Sequence, residues 1–469
     1  MIRTSLTMLL ASTLLSSCTM IPDLLTPSFS AAKEWNKVDN HSLELGDNFA
    51  TEMDWKTFFN SPELHLVIGT ALQNNKDLKI AALNVDEARA LYRIDRASLY
   101  PGINANGSMT RANTPEEASL TGQETISSSY EANVGITSYE LDLFGKIRSS
   151  NESAINEYLA TQQAQAVVRN SLIAEVTNAY LQLLADQKLL KLTIDTLNSQ
   201  KKTYDLLTQS LESGVVTEQD VARSATAVET AQVNYHLYSR YVAQDKNALF
   251  VLLGIPYDES FLPKSTLDDV HIKNNLNPGL PSKTLLLRPD IRQAEYELLA
   301  RNANIGAARA AFFPSITLTG AYGSASQSLN NLFASGAMGA WSFIPQITLP
   351  IFQGGQNKAN LDLAEIRTDQ AIVNYEKTIQ VAFQEISDEL AARATLDKQL
   401  ESQKRLVSAA SSVYSVSTAR YNSGIDSFLD VLDAQRELYT YQQQEILIQR
   451  QKLSNLVNLY KVLGGGSRE

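Results

Sequence analysis

All thirteen prolines of this 469-residue chain lie outside two windows, Lys146 to Leu253 and Gln356 to Leu463, and each window holds one glycine, Gly214 or Gly424. Proline costs about 3 kcal/mol and glycine about 1 kcal/mol inside a helix, so windows cleared of both read as long helices broken once. The breaks are turns at Ser213-Gly214 and Ser423-Gly424. Four helices follow: 146–212, 217–253, 356–422 and 427–463. The first holds 67 residues, about 100 Å at the helical rise, which no globular core needs. Its apolar residues recur at helical spacing, as in Leu172, Val176, Ala179 and Leu183, then Leu189, Leu192 and Leu197. A rod of this length must bury that stripe against other rods, as coiled coils do. At this point a solitary coiled-coil tether fits as well.

The chain also repeats itself. Ala97-x-x-x-Pro101-x-Ile103 matches Ala310-x-x-x-Pro314-x-Ile316 at an offset of 213 residues. Ser213-Gly214 with Asp220-Val221 matches Ser423-Gly424 with Asp430-Val431 at 210, and Leu253-Gly254 matches Leu463-Gly464. Two halves of one plan are expected, residues 61–254 and 284–464, joined by a crossover over 255–283 that is rich in Pro and Asn.

Between about 101 and 144, and again between about 314 and 352, the period changes from 3.6 to two, the mark of strands. Ile103, Ala105 and Met109 alternate with Asn104, Asn106, Ser108 and Thr110. Ile316, Leu318 and Tyr322 alternate with Ser315, Thr317, Thr319 and Ala321, and Trp341, Phe343, Ile347, Leu349 and Ile351 with Ser342, Gln346 and Thr348. One apolar face and one weakly polar, uncharged face suit a membrane barrel with lipid outside and water inside. A soluble sheet shows the same alternation, so the pattern alone leaves both readings open. Each half supplies a strand pair, whereas the smallest membrane barrels use eight strands and an open edge in lipid strands unsatisfied amides. A barrel here must therefore be shared among chains, and counting does not choose between two, three or more. Rods that follow each strand pair directly, through Phe144-Gly145-Lys146 and Phe352-Gln353-Gly354-Gly355, would continue its wall as a ring of helices around a tunnel.

The N-terminus fixes the compartment. Arg3 precedes an apolar run from Leu6 to Leu15, about 10 residues and too short to span a bilayer, so residues 1–17 are expected to be a secretory signal. It ends Leu15-Ser16-Ser17-Cys18, which resembles the bacterial lipobox, whose cysteine is acylated after cleavage just before it. Cys18 is the only cysteine, so no intrachain disulfide accounts for it. Residues 18–60 are then a lipid-anchored segment, and Thr19 in place of Asp directs such a lipoprotein to the outer membrane. No later segment has 18 consecutive apolar residues, which excludes a spanning helix. A net charge of -11 without clusters of Lys and Arg argues against nucleic acid. His41, His65, His236 and His271 are scattered, there is no HExxH or phosphate loop, and Gly464-Gly465-Gly466 opens no helix, so nothing suggests an enzyme, a metal centre or a cofactor.

Leu287-Arg288-Pro289-Asp290-Ile291-Arg292-Gln293-Ala294-Glu295 and the run from Ala303 through Asn304-Ile305-Gly306 to Phe313-Pro314-Ser315-Ile316 resemble the TolC-type outer membrane factors, in particular the OprM-like (NodT-type) lipoprotein branch. The likeness extends through Arg420-Tyr421-x-x-Gly424, Leu432-Asp433-Ala434-Gln435-Arg436 and Asn458-Leu459-Tyr460-Lys461-x-Leu463-Gly464-Gly465-Gly466, and covers nearly everything from about residue 50 onward. The resemblance implies a homotrimer: a shared transmembrane β-barrel with four strands per protomer, continued by a long periplasmic α-helical barrel. It also implies an equatorial collar made by the N-terminal segment, the crossover and the tail at 465–469. The implied function is a passive outer-membrane exit duct without cofactors, docking a periplasmic adaptor (membrane fusion) protein and an inner-membrane RND-type (resistance-nodulation-division) pump to expel small toxic molecules.

Just beyond Gly424, Asp426, Asp430 and Asp433 fall at i, i+4 and i+7, which predicts one acidic helical stripe. A solvated face is the plain reading of three spaced carboxylates. In the OprM-like branch the periplasmic end is closed by an apolar constriction and an acidic ring, and the matching residues here are Leu429 and Asp433, with Asp430 beside them. Arg420 and Tyr421 match the contacts that hold the inner coiled coil closed. Gly214, Val215, Gly424 and Ile425, at apices where glycine permits the reversing turn, are expected to meet the adaptor. A type I protein-secretion duct, a metal-ion efflux duct and a non-pore coiled-coil lipoprotein are the rival functions.

Overall fold

The structure is a computed structural model that describes residues 19–24, 35, 48–49, 53–120, 122–274, 276–279, 284–334 and 339–465. Cys18, the signal segment and residues 466–469 lie outside them. The chain forms two compact units: one from residues 1–28, 85–161 and 294–375, the other from 29–84, 162–293 and 376–469. The elements in order are β1 (Asn48–Phe49), α1 (Trp55–Phe58), α2 (Pro62–Asn74), α3 (Lys76–Ala97), β2 (Ile103–Thr114), β3 (Thr125–Leu141), α4 (Lys146–Glu212), α5 (Glu218–Leu253), β4 (Leu276–Asn277), α6 (Pro289–Ala310), β5 (Ser315–Ser326), β6 (Gly339–Thr348), α7 (Gln356–Asn422) and α8 (Phe428–Val462). Long helices, two strand pairs and a twofold repeat are all present, as the proline and glycine pattern, the alternation and the matched motifs respectively predict. No described helix is long and apolar enough to cross a membrane.

In the first unit the strands form one antiparallel sheet in the order β2-β3-β5-β6, so the hairpins of the two halves join through β3 and β5. The register places Ile103, Ala105 and Met109 of β2 on the same face as Tyr130, Val134 and Ile136 of β3, Ile316, Leu318 and Tyr322 of β5, and Trp341, Phe343 and Ile347 of β6. Ile103, Met109, Val134, Tyr322, Trp341, Phe343 and Ile347 are exposed. This apolar band runs along about 20 Å of β2 and β5, close to the band of a membrane barrel. The opposite face carries Asn104, Asn106, Ser108, Asn133, Thr317, Thr319, Ser342 and Gln346. It is not free of charge as expected, because Glu131 and Glu140 also lie there. A Cβ added to Gly135 or Gly323 on this polar face would come within 2.3 or 2.1 Å of a neighbouring carbonyl oxygen, while Gly320 on the apolar face has room. Neighbouring backbones thus come closest on the polar side at these two positions.

Alternation is kept by a bulge. Ile136 pairs with Gly320 and Tyr139 with Leu318, so Thr137 and Ser138 oppose Thr319 alone. Ser138 takes the strain, with φ at 54°. The extra residue puts Tyr139 and Leu141 on the face of Ile136, where strict alternation would turn both to the polar side. At the strand-to-helix junction Asp142 accepts hydrogen bonds from the backbone N–H groups of Ile147 (3.2 Å) and Arg148 (2.9 Å) and from Arg148 Nε (3.0 Å). Its carboxylate thus caps the first turn of α4, where the helix dipole favours an anion. Phe144 stacks on Phe313 at 4.8 Å, and Tyr100, Phe312 and Phe352 are exposed at the same ends of the strands, an aromatic girdle of the kind that sits at a membrane surface.

The second unit holds the main core. Between Leu172 and Ala185, α4 exposes only Glu175, so the expected stripe has widened until the helix is enclosed. Phe58 stacks on Tyr460 at 4.4 Å, and the Tyr460 hydroxyl donates to Met53 O at 2.7 Å. Tyr180, fully buried, donates to Glu63 at 2.6 Å, and Ser265 Oγ donates to the same carboxylate at 2.7 Å. The N-terminal segment and the crossover are further tied by the parallel pair β1 and β4. Arg288, from the Leu-Arg-Pro-Asp run, donates to Asp290, to Glu385 (2.6 Å) and to Val462 O (2.8 Å), which fixes the start of α6 to α7 and to the end of α8.

Deleting Ser138 should leave the sheet intact, because every flanking side chain keeps its face; deleting Ser129, inside an unbroken ladder, reverses the faces at one end of β3. Circular dichroism of purified protein should retain strand signal in the first variant and lose it in the second, and equal loss in both would contradict the bulge register.

Candidate functional site at the hairpin tips

The two reversals between rods are built alike. At the end of α4, Gly214 takes φ 69° and Val215 N–H donates back to Ser210 O at 3.0 Å. At the end of α7, Gly424 takes φ 72° and Ile425 N–H donates to Arg420 O at 2.9 Å. Both are left-handed C-caps that satisfy carbonyls the helix leaves open. The next helix begins with a capping residue, and each cap is answered three residues later by an aspartate. Thr217 Oγ1 donates to Asp220 at 2.6 Å, and Ser427 Oγ donates to Asp430 at 2.6 Å. The repeated Ser-Gly and Asp-Val strings of the sequence are these caps.

That chemistry corrects the predicted acidic stripe. α8 starts at Phe428, so Asp426 precedes the helix, and it is paired instead with Arg420 through contacts of 2.5 and 2.8 Å. The Arg420 hydrogen bond holds Asp426 below its usual carboxylate range, and Asp426 in turn raises Arg420. Asp430 is turned back onto Ser427 as a cap. Asp433 alone presents an open carboxylate, 55% exposed, with Arg436 at 3.4 Å. The Arg420–Asp426 pair has no counterpart at the first turn, where Ser210 and Val216 stand in the equivalent places.

A small apolar cluster holds the two tips together. Leu207, Phe428, Val431 and Leu432 are buried, with Val216, Val221, Ala227, Tyr414 and Tyr421 packed around them. Tyr421 lies against Phe428 at 5.5 Å, and burial, then the nearby Asp220, raises its hydroxyl pKa. Phe428 was not marked by any sequence pattern; its signal is an aromatic residue placed directly after a cap. Leu429, one residue on, is 38% exposed and borders a groove of about 330 Å³ with Arg223, Gln200 and Gln435. At the apices Val215 and Ile425 are 76% and 63% exposed.

The family model for "Outer membrane efflux protein" matches residues 67–255 and 280–465. The chain belongs to the outer membrane efflux protein family. It is 47% identical to the toluene efflux pump outer membrane protein TtgC of Pseudomonas putida, over 99% of this chain and 96% of that one. Among solved structures it superposes on a membrane protein from Pseudomonas aeruginosa with a TM-score of 0.90 at 38% identity, covering 95% of this chain and all of that one. The open state of the MtrE outer membrane channel of Neisseria gonorrhoeae gives a TM-score of 0.86 at 39% identity, covering 96% of this chain and 98% of that one. The four-stranded sheet and paired rods are therefore those of an outer-membrane efflux channel.

One polar cluster in the helical wall of this efflux protein escaped the sequence reading, because its members come from three helices. Asp186 of α4 is buried, accepts from Gln182 Nε2 at 2.7 Å, and shares a hydrogen bond with Asp245 of α5. Arg450 of α8 donates to Gln182, and Tyr238 lies nearby. Burial first, and then the adjoining Asp186 carboxylate, push Asp245 up to about 7, with Arg450 opposing. Two carboxylates in contact cannot both ionise without cost, so one proton belongs to the pair.

A carboxyl whose pKa is raised by folding stabilises the fold in its protonated form. That contribution is complete below about 4, the unfolded value, and is lost as pH rises toward about 7. Asp245→Asn keeps a neutral group in place, so its melting temperature should fall less than the parent's between about pH 5 and about pH 8. Identical pH profiles for parent and variant would remove the shared proton from the account.

Proposed function

We propose that three copies of this chain close one twelve-stranded outer-membrane barrel and form the passive exit duct of a tripartite pump for small toxic molecules. The observation that carries this reading is the sheet. Among the described residues β2 and β6 are bonded on one side only, and a sheet with a lipid-facing side cannot leave those edges open in a bilayer. Exposed apolar residues at helical spacing, Ile80, Leu83, Leu91 and Ile94 on α3 and Leu363, Ile366 and Val373 on α7, supply surfaces for neighbouring copies. The toluene in the name of TtgC supports an apolar small-molecule cargo over an exported protein or a metal ion.

The finer assignments follow from the tips. Val215 and Ile425, presented by Gly214 and Gly424, form the seat for a periplasmic adaptor, which links the duct to an inner-membrane RND-type pump. Leu429 and Asp433 close the periplasmic entrance, Asp430 sets the first turn of α8, and Arg420 with Tyr421 keeps the second hairpin straight. An adaptor that splays the hairpins must break the Arg420–Asp426 pair and open the Phe428 cluster. Acylation of Cys18 anchors the chain in the periplasmic leaflet of the outer membrane.

Reconstituted in planar bilayers, Leu429→Ala combined with Asp433→Ala should raise single-channel conductance, and an unchanged conductance would reject these two residues as the constriction. A Cys18→Ser chain should incorporate no labelled palmitate where the parent does; equal incorporation means that the acyl chain sits elsewhere. The trimer itself is read from a heat-resistant band on unheated gels, which a monomeric tether cannot give.

A further inference from the structure

The Asn304-Ile305-Gly306 part of the family-like run takes no part in the sheet or the tips. It lies one helical turn before the end of α6 and faces the start of α4. A Cβ built on Gly306 would fall 2.6 Å from Ile21 Cγ1, 2.6 Å from Ser149 Oγ and 2.8 Å from Ile21 N. Gly306 is therefore not a hinge or a helix flaw. Its missing side chain is filled by the N-terminal segment.

A second contact fixes the direction of that segment. Asn302, itself buried, donates through Nδ2 to Pro22 O at 2.9 Å. Ile21 meets α6 at 306 and Pro22 meets it at 302, so the segment runs antiparallel to α6, away from the strands as its numbers rise. Thr19 is thus at its strand-side end. Three peptide units separate the α-carbons of residues 18 and 21, which keeps them within about 11 Å. Gly306 is itself about 6 Å of helix from Ala310, just ahead of the exposed Phe312 and the Phe144–Phe313 stack. Ser149, fully buried, closes the slot from the first turn of α4.

We propose that Thr19–Leu24 is a membrane strap: Gly306, Asn302 and Ser149 form a slot that seats Ile21 and leaves Thr19, which follows the acylated residue, on the side of the aromatic girdle of the sheet. The acyl chains would then enter the bilayer beside the girdle that marks the same surface, so the two anchors agree in height. The strap also ties α6 to the start of α4, below the paired strands β3 and β5. This proposal rests on the reading of Cys18 as the acylated residue, and its test separates the two.

Cys18 is the only cysteine, so an Ile21→Cys chain carries one new thiol. Purified full-length protein is treated with a hydrophilic maleimide, and peptide mass spectrometry assigns the label to residue 18 or 21. Asp23→Cys, at an exposed position, serves as the open reference. Residue 21 should react about fivefold or more slowly than residue 23, since it must leave the slot first. Gly306→Val should bring the two rates together. Asn302→Ala, which adds no bulk and keeps the fold testable should the valine variant fail to assemble, should raise the rate at residue 21 by a smaller factor. Equal rates at 21 and 23 in the parent background, or protection at 21 that survives both substitutions, overturns the strap. Label on Cys18 in the parent chain rejects acylation instead, and leaves the slot to be judged on residue 21.

Discussion

In hydrocarbon a backbone N–H or C=O that lacks a partner costs several kcal/mol, and no water is present to relieve it. A sheet with one lipid-facing side must therefore continue until it meets itself. Among the described residues this sheet has four strands, with β2 and β6 at its margins, and most other features accommodate that fact. The bulge at Ser138 keeps the apolar band in phase where β3 bends. Gly135 and Gly323 let neighbouring backbones approach on the inner, polar side. Asp142 turns the end of a strand into the start of a helix without leaving the first amides of α4 unsatisfied.

The rods obey a different rule. A helix satisfies its own backbone, so α4 and α7 can run for 67 residues each provided that their sides are covered. Cover comes in patches: an enclosed stretch around Tyr180, a polar cluster around Asp186, and the small apolar knot at the tips. Between them the helices carry exposed apolar residues such as Leu363, Ile366 and Val373. Local stability therefore differs along a single helix, with the firmest packing near the crossover and the thinnest at the turn. That gradient suits the proposed duct, whose periplasmic end would yield while its membrane end would not.

Much of this was legible in the sequence because its punctuation is simple. Proline and glycine can be counted, alternation can be read residue by residue, and a repeat shows twice, so rods, strand pairs and turns stood out. What failed was inference about side chains near helix ends. Asp426, Asp430 and Asp433 share a spacing, but spacing assumes that the helix has already begun; the cap at Ser427 places the first outside it and bends the second back. The Asp186–Asp245 pair and the slot at Gly306 were hidden for another reason: each joins residues far apart in the chain, and neither leaves a periodic trace. A lone helical glycine reads as a small penalty until the strand of chain that occupies its missing side chain is seen.

The unequal turns carry a last consequence. The two hairpins have the same caps and the same left-handed glycine, yet among the described residues only the second bears the Arg420–Asp426 clasp. In the proposed trimer, clasped and unclasped apices would alternate, six in all, so the rim would be a ring with two kinds of tooth. A partner gripping such a rim evenly would meet uneven resistance: the plain teeth would follow at once, and the clasped ones would resist until their arginine let go.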